Sequence, residues 1–110
     1  MQQGERTLSY TLEEMTERVR GAVSTDPGIG KTIKFDLKDD GVIHIDGSNV
    51  TNEDKPADLT MTIAKDDLIA MGEGKLDATM AFMSGKLKLS DMGLAMSLQP
   101  KMQQIFAGMR

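Results

Sequence analysis

The chain has 110 residues, which is enough for one domain with a hydrophobic core, and we expect a single domain over residues 1–110. Its net charge of −4 disfavours nucleic acid as a partner, because nucleic acid is bound through a basic surface. The absence of cysteine excludes disulfides and thiol catalysis, and the single histidine excludes a histidine-rich metal site. We therefore predict no metal and no cofactor.

The N-terminal part of the sequence predicts a capped helix over residues 11–23. Thr11 and Glu14 have the spacing of a capping box, in which each side chain accepts a hydrogen bond from the backbone amide of the other residue. Residues 1–8 are polar, and we expect them to be frayed. The apolar stripe of this helix consists of Leu12, Met15, Val19 and Val23.

Three stretches, residues 32–38, 42–46 and 58–63, alternate between apolar and polar side chains. Alternation of this kind is typical of strands with one buried face. The turn at residues 39–41 joins the first two stretches as a hairpin, and residues 47–56 read as a polar loop. The predicted buried faces consist of Ile33, Phe35, Leu37, Ile43, Ile45, Leu59, Met61 and Ile63.

Two short helices and a fourth strand are predicted between the third strand and residue 90. Asp66 and Asp77 are placed to cap the two helices, and Gly85 is placed to end the second one. Residues 86–89 then alternate as a short edge strand whose lysines point outward.

The chain is predicted to be helical and strongly apolar from Asp91 onward. Pro100 removes one backbone donor, so it either kinks one helix or begins a second one. The apolar stripe packs into the core, covers a cavity or forms a dimer interface, and the residues alone leave these three options even. The stripe consists of Leu94, Leu98, Met102, Ile105 and Met109.

Methionine is the outlier of the composition, with ten residues against three phenylalanines, one tyrosine and no tryptophan. Methionine is unbranched and polarizable, so it fills irregular space and repacks easily. This bias indicates either ordinary core packing or a binding surface that fits ligands of varying shape.

Motifs that would carry catalysis are incomplete. Residues 72–76 suggest a phosphate loop, but no serine or threonine follows the lysine. Residues 36–47 suggest a calcium loop, but Lys38 and Gly47 occupy positions that need ligands. His44 is expected on the outward face of its strand as a solvated or packed side chain, and no nucleophile elbow accompanies it. We therefore predict that the protein is not an enzyme.

Several short segments, in this order and spacing, resemble the sterol carrier protein type-two family of non-specific lipid-transfer proteins. The likeness runs from about Thr32 to Gln99. The segments that carry it are Ala57-Asp58-Leu59-Thr60-Met61-Thr62-Ile63, Asp67-Leu68, Gly74-Lys75-Leu76-Asp77, Ala81-Phe82-Met83-Ser84-Gly85-Lys86-Leu87-Lys88 and Asp91-Met92-Gly93-Leu94-Ala95-Met96-Ser97-Leu98-Gln99.

The resemblance implies an α+β fold with a single twisted, mostly antiparallel sheet covered on one face by helices, with a hydrophobic tunnel between the layers. Because the segment before residue 32 is short, we expect four to five strands. The implied function is non-catalytic binding and transfer of sterol-like lipids, fatty acids or fatty acyl-CoA. The expected lipid-binding residues are Phe35, Met71, Met80, Phe82, Met83, Leu87, Met92, Met96, Ile105 and Phe106.

The expected partner is an apolar lipid, with transient membrane contact and a cytoplasmic location. Lys75, Lys86 and Lys88 either assist that contact or only keep an edge strand soluble, and the second explanation is the simpler one. The alternative function is a protein interaction or homodimerisation module that uses the apolar C-terminal helix. The sequence leaves the oligomeric state open.

Overall fold

The computed structural model describes residues 11–24 and 30–108, and residues 1–8 and Met109 lie outside this part of the chain. Within it, five strands and five α-helices are present, and none of these helices is long and apolar enough to cross a membrane. The elements are α1 (Leu12–Ser24), β1 (Ile33–Asp36), β2 (Val42–Asp46), β3 (Asn49–Thr51), β4 (Leu59–Ile63), α2 (Lys65–Gly72), α3 (Ala78–Met83), β5 (Leu87–Leu89), α4 (Met92–Ser97) and α5 (Gln99–Gly108).

The five described strands form one sheet in the order β3-β2-β1-β4-β5. Only the central pair of β1 and β4 is parallel among these strands, which confirms the predicted α+β fold with a mostly antiparallel sheet. The prediction of a loop over residues 47–56 is wrong in its middle, because β3 lies there and pairs Val50 with Ile45. Three residues with a single apolar side chain are too few to show an alternating pattern.

The alternating apolar side chains all fall on one face of the sheet. The register places Phe35 between Ile43 on one neighbouring strand and Met61 on the other, so the same face is apolar across all three strands. This confirms the predicted buried face. The side chains on it that are at most 1% exposed are Ile33, Phe35, Ile43, Ile45, Leu59 and Ile63.

His44 lies on the opposite face of the sheet, where the segment after β3 covers it. Its side chain is only 3% exposed, and its Nε2 lies 3.1 Å from the Pro56 carbonyl oxygen, to which it donates. The other ring nitrogen, Nδ1, is buried without a hydrogen-bond partner among the described residues. His44 is therefore a packed side chain, remote from the apolar face.

Helix α1 begins with the predicted capping box. The Thr11 amide donates to Glu14 Oε1 at 2.8 Å, and the Glu14 amide donates to Thr11 Oγ1 at 3.1 Å. The helix packs beside β3 and α5, with its side chains Met15, Val19 and Val23 wholly buried. Its stripe of apolar residues therefore closes one end of the core.

Asn52 connects α1 to the sheet. Its Nδ2 donates to Thr16 Oγ1 and to the Val42 carbonyl oxygen, each at 2.9 Å. Arg20 adds a second connection, because its guanidinium donates to the Val50 carbonyl oxygen at 2.7 Å. These bonds fix α1 over the β2–β3 side of the sheet.

Helix α2 begins differently from the sequence prediction. Asp66 does not cap it: the cap position is Ala64, in an extended conformation and without a side-chain hydrogen bond. Strand β4 ends at Ile63 and α2 begins at Lys65, so Ala64 is the single residue between the strand and the helix. Asp66 and Asp67 instead lie in its first turn, where carboxylates interact favourably with the helix dipole.

Pro100 lies at the second residue of α5, and α4 ends three residues before it. The amides of the first turn have no partner inside a helix, so a proline there removes no hydrogen bond. Of the two options that the sequence leaves open, the structure therefore shows the second: Pro100 belongs to the start of a separate helix.

Candidate functional site

A cavity of about 260 Å³ lies between the β4–β5 end of the sheet and helices α3, α4 and α5. Small-molecule pockets in proteins span about 300–1,000 Å³, so this cavity lies just below their usual range. Its walls come from short elements whose positions are set by local sequence features.

The floor of the cavity consists of side chains from the last two strands of the sheet. Leu59 and Met61 project from β4, and Leu87 and Leu89 project from β5, where Leu89 pairs with Met61. Because residues two apart share a face of a strand, the four side chains form one apolar surface. The first three of them are almost completely buried.

Helix α5 forms one wall with a single stripe of side chains. Gln99, Met102, Gln103 and Phe106 are spaced as one helical face, and all four line the cavity. The ring centroid of Phe106 lies 6.4 Å from that of Phe35, which lies deeper in the core. The stripe thus covers the cavity on one side and packs on the sheet beneath it.

Helices α3 and α4 form the remaining walls, and aspartates begin both helices. Asp77 accepts a hydrogen bond from the Met80 amide at 3.2 Å, and Asp91 accepts one from the Leu94 amide at 3.0 Å. Gly85, with φ of 82°, follows the end of α3 as predicted and turns the chain into β5. The side chains that these helices contribute to the cavity are Ala78, Thr79, Phe82, Met92, Ala95 and Met96.

The cavity has a buried end and an exposed mouth. Leu59 is wholly buried at its floor, whereas Phe82 and Met92 are each 41% exposed and Met96 is 65% exposed. Large apolar side chains so exposed in one region of a surface mark a site of interaction. An apolar ligand could therefore enter between α3 and α4 without crossing the packed core.

The sequence predicted ten lipid-binding residues, and the structure divides them into two groups. Five of them line the cavity and five do not; their contact with a lipid remains a prediction for both groups. The residues in the cavity wall are Phe82, Leu87, Met92, Met96 and Phe106. Those outside it are the buried Phe35, Met71 and Ile105 and the exposed Met80 and Met83.

Several wall residues were missed by the sequence analysis. Met61 and Met102 were predicted to lie on apolar faces but were not distinguished from ordinary core residues. A side chain that lines a cavity and one that packs in the core follow the same apolar periodicity in the sequence. Gln99 and Gln103 were missed because they are polar. They lie four residues apart on the same helical face as Met102 and Phe106, and this spacing was the available signal.

A polar clamp fixes the strand that forms part of the floor. The Thr32 amide and hydroxyl donate to Asp58 Oδ2 at 3.0 and 3.1 Å, and the Asp58 amide donates back to Thr32 Oγ1 at 2.8 Å. The two bonds from Thr32 lower the pKa of the Asp58 carboxyl, because they stabilise its charged form. This clamp joins the starts of β1 and β4.

The C-terminal helix uses its apolar face inside the chain itself. Met102, Ile105 and Phe106 are at most 8% exposed, and α5 packs against α1, α2 and α4. The stripe therefore both packs into the core and covers the cavity. The alternative function, in which this face binds a partner protein, receives no support from this arrangement.

A five-stranded mixed sheet with an apolar cavity under short helices places this chain among proteins of the sterol-carrier fold. The crystal structure of Sterol Carrier Protein 2 Like 2 from Aedes aegypti matches 81% of this chain and 94% of its own, with a TM-score of 0.69 and 26% identity. The fold of Aedes aegypti Sterol Carrier Protein-2, solved in complex with palmitate, matches with a TM-score of 0.69 over 93% of this chain and 99% of its own, at 19% identity.

The chain belongs to the SCP-2 sterol transfer family, whose model matches residues 6–103. Sterol carrier protein 2 of Rattus norvegicus is 39% identical over 102 residues, which cover 86% of this chain and 18% of the rat protein. The chain thus spans less than a fifth of the length of this curated relative. The family resemblance expected from the sequence is confirmed.

Proposed function

We propose that this chain binds apolar lipids in the cavity, without catalysis, and transfers them between membranes. The observation that carries this proposal is the apolar buried end of the cavity, formed by Leu59, Met61, Leu87 and Phe106. Burial of a lipid tail there contributes about 25 cal/mol per Å² of apolar area removed from water. The family to which the chain belongs supports the same function.

The methionines of the wall suit a range of tail shapes. Met61, Met92, Met96 and Met102 line the cavity, and their flexible side chains can repack around different ligands. An apolar pocket also discriminates weakly, since one methylene is worth only about 1–3 kcal/mol. Sterol-like lipids, fatty acids and fatty acyl-CoA are the ligands that this proposal includes.

The chemistry of the wall supports binding without reaction. Among the described residues, its polar side chains are the hydroxyl of Thr79 and the amides of Gln99 and Gln103, and neither kind of group ionises near neutral pH to act as a general acid or base. The exposed Met80 and Met83 on α3 and Met96 on α4 support transient contact with a membrane during transfer. A cytoplasmic location belongs to this proposal and is tested by cell fractionation.

The test is uptake of palmitate, the fatty acid bound by the Aedes aegypti protein of the same fold. Ala95 lines the cavity, so Ala95→Trp should fill it and lower palmitate affinity about tenfold or more. Met83→Trp is the matched control, because Met83 is 76% exposed and lies outside the wall. Equilibrium binding of labelled palmitate measures both variants, with circular dichroism as the check of folding.

A folded Ala95→Trp variant with unchanged affinity would show that palmitate binds elsewhere. Absence of any binding by the unaltered protein, for palmitate and for cholesterol, would overturn the proposed function. Transfer is measured separately, as the rate at which the protein moves labelled lipid from donor to acceptor vesicles.

A further inference from the structure

Four methionines on α3 and α4 are exposed to solvent. Met92 and Met96 on α4 are 41% and 65% exposed, and both line the cavity. Met80 and Met83 on α3 are 62% and 76% exposed, and both lie outside the cavity wall. Apart from Phe82, no other large hydrophobic side chain is exposed in residues 11–24 and 30–108. The thioether sulfur atoms that solvent can reach are therefore concentrated around the mouth of the cavity.

The other described methionines are buried. Met61 and Met102 line the cavity but are almost completely closed off from solvent, and Met15 and Met71 are buried outside the wall. The susceptibility of methionine to oxidation increases with its exposure. An oxidant dissolved in water should therefore react with the methionines of α3 and α4 well before it reacts with these four.

The thioether sulfur is the nucleophile that an exposed methionine offers to a peroxide. Its lone pair attacks one oxygen of hydrogen peroxide or of an organic hydroperoxide, so that an S–O bond forms as the O–O bond breaks. The sulfur loses two electrons and becomes a sulfoxide. The peroxide gains the two electrons, and its other oxygen takes up the hydroxyl proton and leaves as water or as an alcohol.

At Met92 and Met96 this reaction changes the surface on which a lipid would lie. The sulfoxide replaces a flexible apolar side chain with a polar one. A lipid tail that covers the new oxygen offers it no hydrogen bond, so burying that oxygen costs free energy. At Met80 and Met83 the same oxygen stays in water, because both side chains lie outside the wall.

We propose that Met92 and Met96 are sites of oxidation by peroxides, and that their conversion to sulfoxide lowers the affinity of the cavity for lipid. A lipid in the cavity covers these two side chains and slows their oxidation, so the empty protein is modified and the loaded protein is protected. This inference rests on the proposed function, since it assigns a means of control to the same cavity.

Mass spectrometry of tryptic peptides measures where hydrogen peroxide reacts. Cleavage after lysine separates the two exposed pairs, because residues 76–86 contain Met80 and Met83 and residues 89–101 contain Met92 and Met96. Without ligand, both peptides should gain oxygen at rates within about threefold of each other. Saturating palmitate should slow oxidation of residues 89–101 by about fivefold or more and leave that of residues 76–86 unchanged.

A pair of double variants measures the effect on binding. Met92→Leu with Met96→Leu removes both exposed sulfur atoms from the wall and keeps apolar side chains of similar volume. Met80→Leu with Met83→Leu is the matched control on α3. The measurement is the ratio of palmitate affinities before and after peroxide in each protein, so differences between the untreated variants cancel. Peroxide should lower the affinity about tenfold in the unaltered protein and in the control, but less than about twofold in the wall variant.

Reduction of the sulfoxides tests whether the added oxygen atoms cause the loss. Methionine sulfoxide reductases act on one epimer each, so reductases of both specificities are added to the oxidised protein with dithiothreitol. The thiols supply two electrons for each sulfoxide, and the oxygen leaves as water. Palmitate affinity should then return to its value before oxidation, and circular dichroism checks that the oxidised protein remains folded.

The outcomes separate this inference from the function on which it rests. Resistance of Met92 and Met96 to peroxide, or equal losses of affinity in the two double variants, overturns the inference and leaves lipid binding intact. A loss that persists after the sulfoxides are reduced comes from other damage and overturns it as well. Oxidation of residues 89–101 at the same rate with and without palmitate overturns the protection by bound lipid. Failure of the untreated protein to bind palmitate or cholesterol overturns the proposed function itself.

Discussion

The helix-covered face of the sheet has two ends that use apolar residues in opposite ways. At the closed end, where α1 packs beside β3, the side chains Val19, Ile43 and Ile45 are wholly buried. At the open end, where α3, α4 and α5 cover β4 and β5, Met92 and Met96 remain 41% and 65% exposed beside a cavity. The same sheet therefore supports a packed core and a binding cavity side by side.

The residue types explain the difference between the two ends. Val19, Ile43 and Ile45 are β-branched, and such side chains are stiff and pack in one arrangement. Met92 and Met96 have three rotatable bonds each and accommodate several arrangements. Stability comes from the closed end, and adaptability comes from the open one.

The largest expected effect is on the free energy of unfolding, which should fall much more for a substitution at the closed end than for one at the open end. Ile43→Ala should lower the free energy of unfolding by about 2–5 kcal/mol, because it creates a cavity in a wholly buried site. Met96→Ala should change it by about 0.5 kcal/mol or less, because its side chain is mostly exposed. Urea unfolding followed by circular dichroism measures both variants. Equal losses in the two variants would contradict the division into a closed and an open end.

A smaller effect is expected from the helix caps. Helix α4 has six residues and none is fully buried, so its order depends on the cap by Asp91. Asp91→Ala should cost about 1 kcal/mol and should speed hydrogen exchange of the α4 amides. Thr11→Ala removes an equivalent cap from α1 and serves as the control, since the buried face of that helix keeps it ordered. The prediction is contradicted if Thr11→Ala speeds exchange of the α1 amides by the same factor by which Asp91→Ala speeds exchange of the α4 amides.

The smallest effect concerns pH and the clamp that joins β1 to β4, between the two ends. The folded pKa of Asp58 is lowered by its bonds from Thr32, so the stabilisation is present above the unfolded pKa of about 3.9. It is lost as the pH falls through the lower folded pKa. Asp58→Asn should therefore be less stable than the unaltered protein at pH 7, and the difference should narrow at pH 3. Urea midpoints at the two pH values measure this, and a constant difference would rule out titration of Asp58 as the cause.

Most strands and helices at both ends were predictable from the sequence, and the cavity at the open end was not. Strands β1, β2 and β4 alternate clearly, and the capping box of α1 is a local signal that needs no tertiary information. Strand β3 was not predicted because Val50 is its only apolar residue. Asp66 was predicted as a helix cap because residue propensities do not show that β4 is followed almost directly by α2. Secondary structure that depends on tertiary pairing leaves a weak local signal.

The cavity itself depends on packing that periodicity does not record. Met71 and Met96 were both predicted to bind lipid, yet the first is 4% exposed and lies outside the wall, whereas the second is 65% exposed and belongs to it. Both residues fit an apolar helical pattern equally well. Gln99 and Gln103 were missed because a polar residue on a mostly apolar helical face was not considered as part of the site.

The methionines provide the most direct test of the account, because some line the cavity and others are buried outside it. With methionine methyl groups labelled with ¹³C, addition of palmitate should shift the NMR signals of Met61, Met92, Met96 and Met102, which line the cavity. The signals of Met15 and Met71, which are buried outside it, should stay unchanged. Shifts of equal size at Met15 and Met71, or unshifted signals of the four wall methionines at saturating palmitate, would contradict the central claim that lipid binds at the open end.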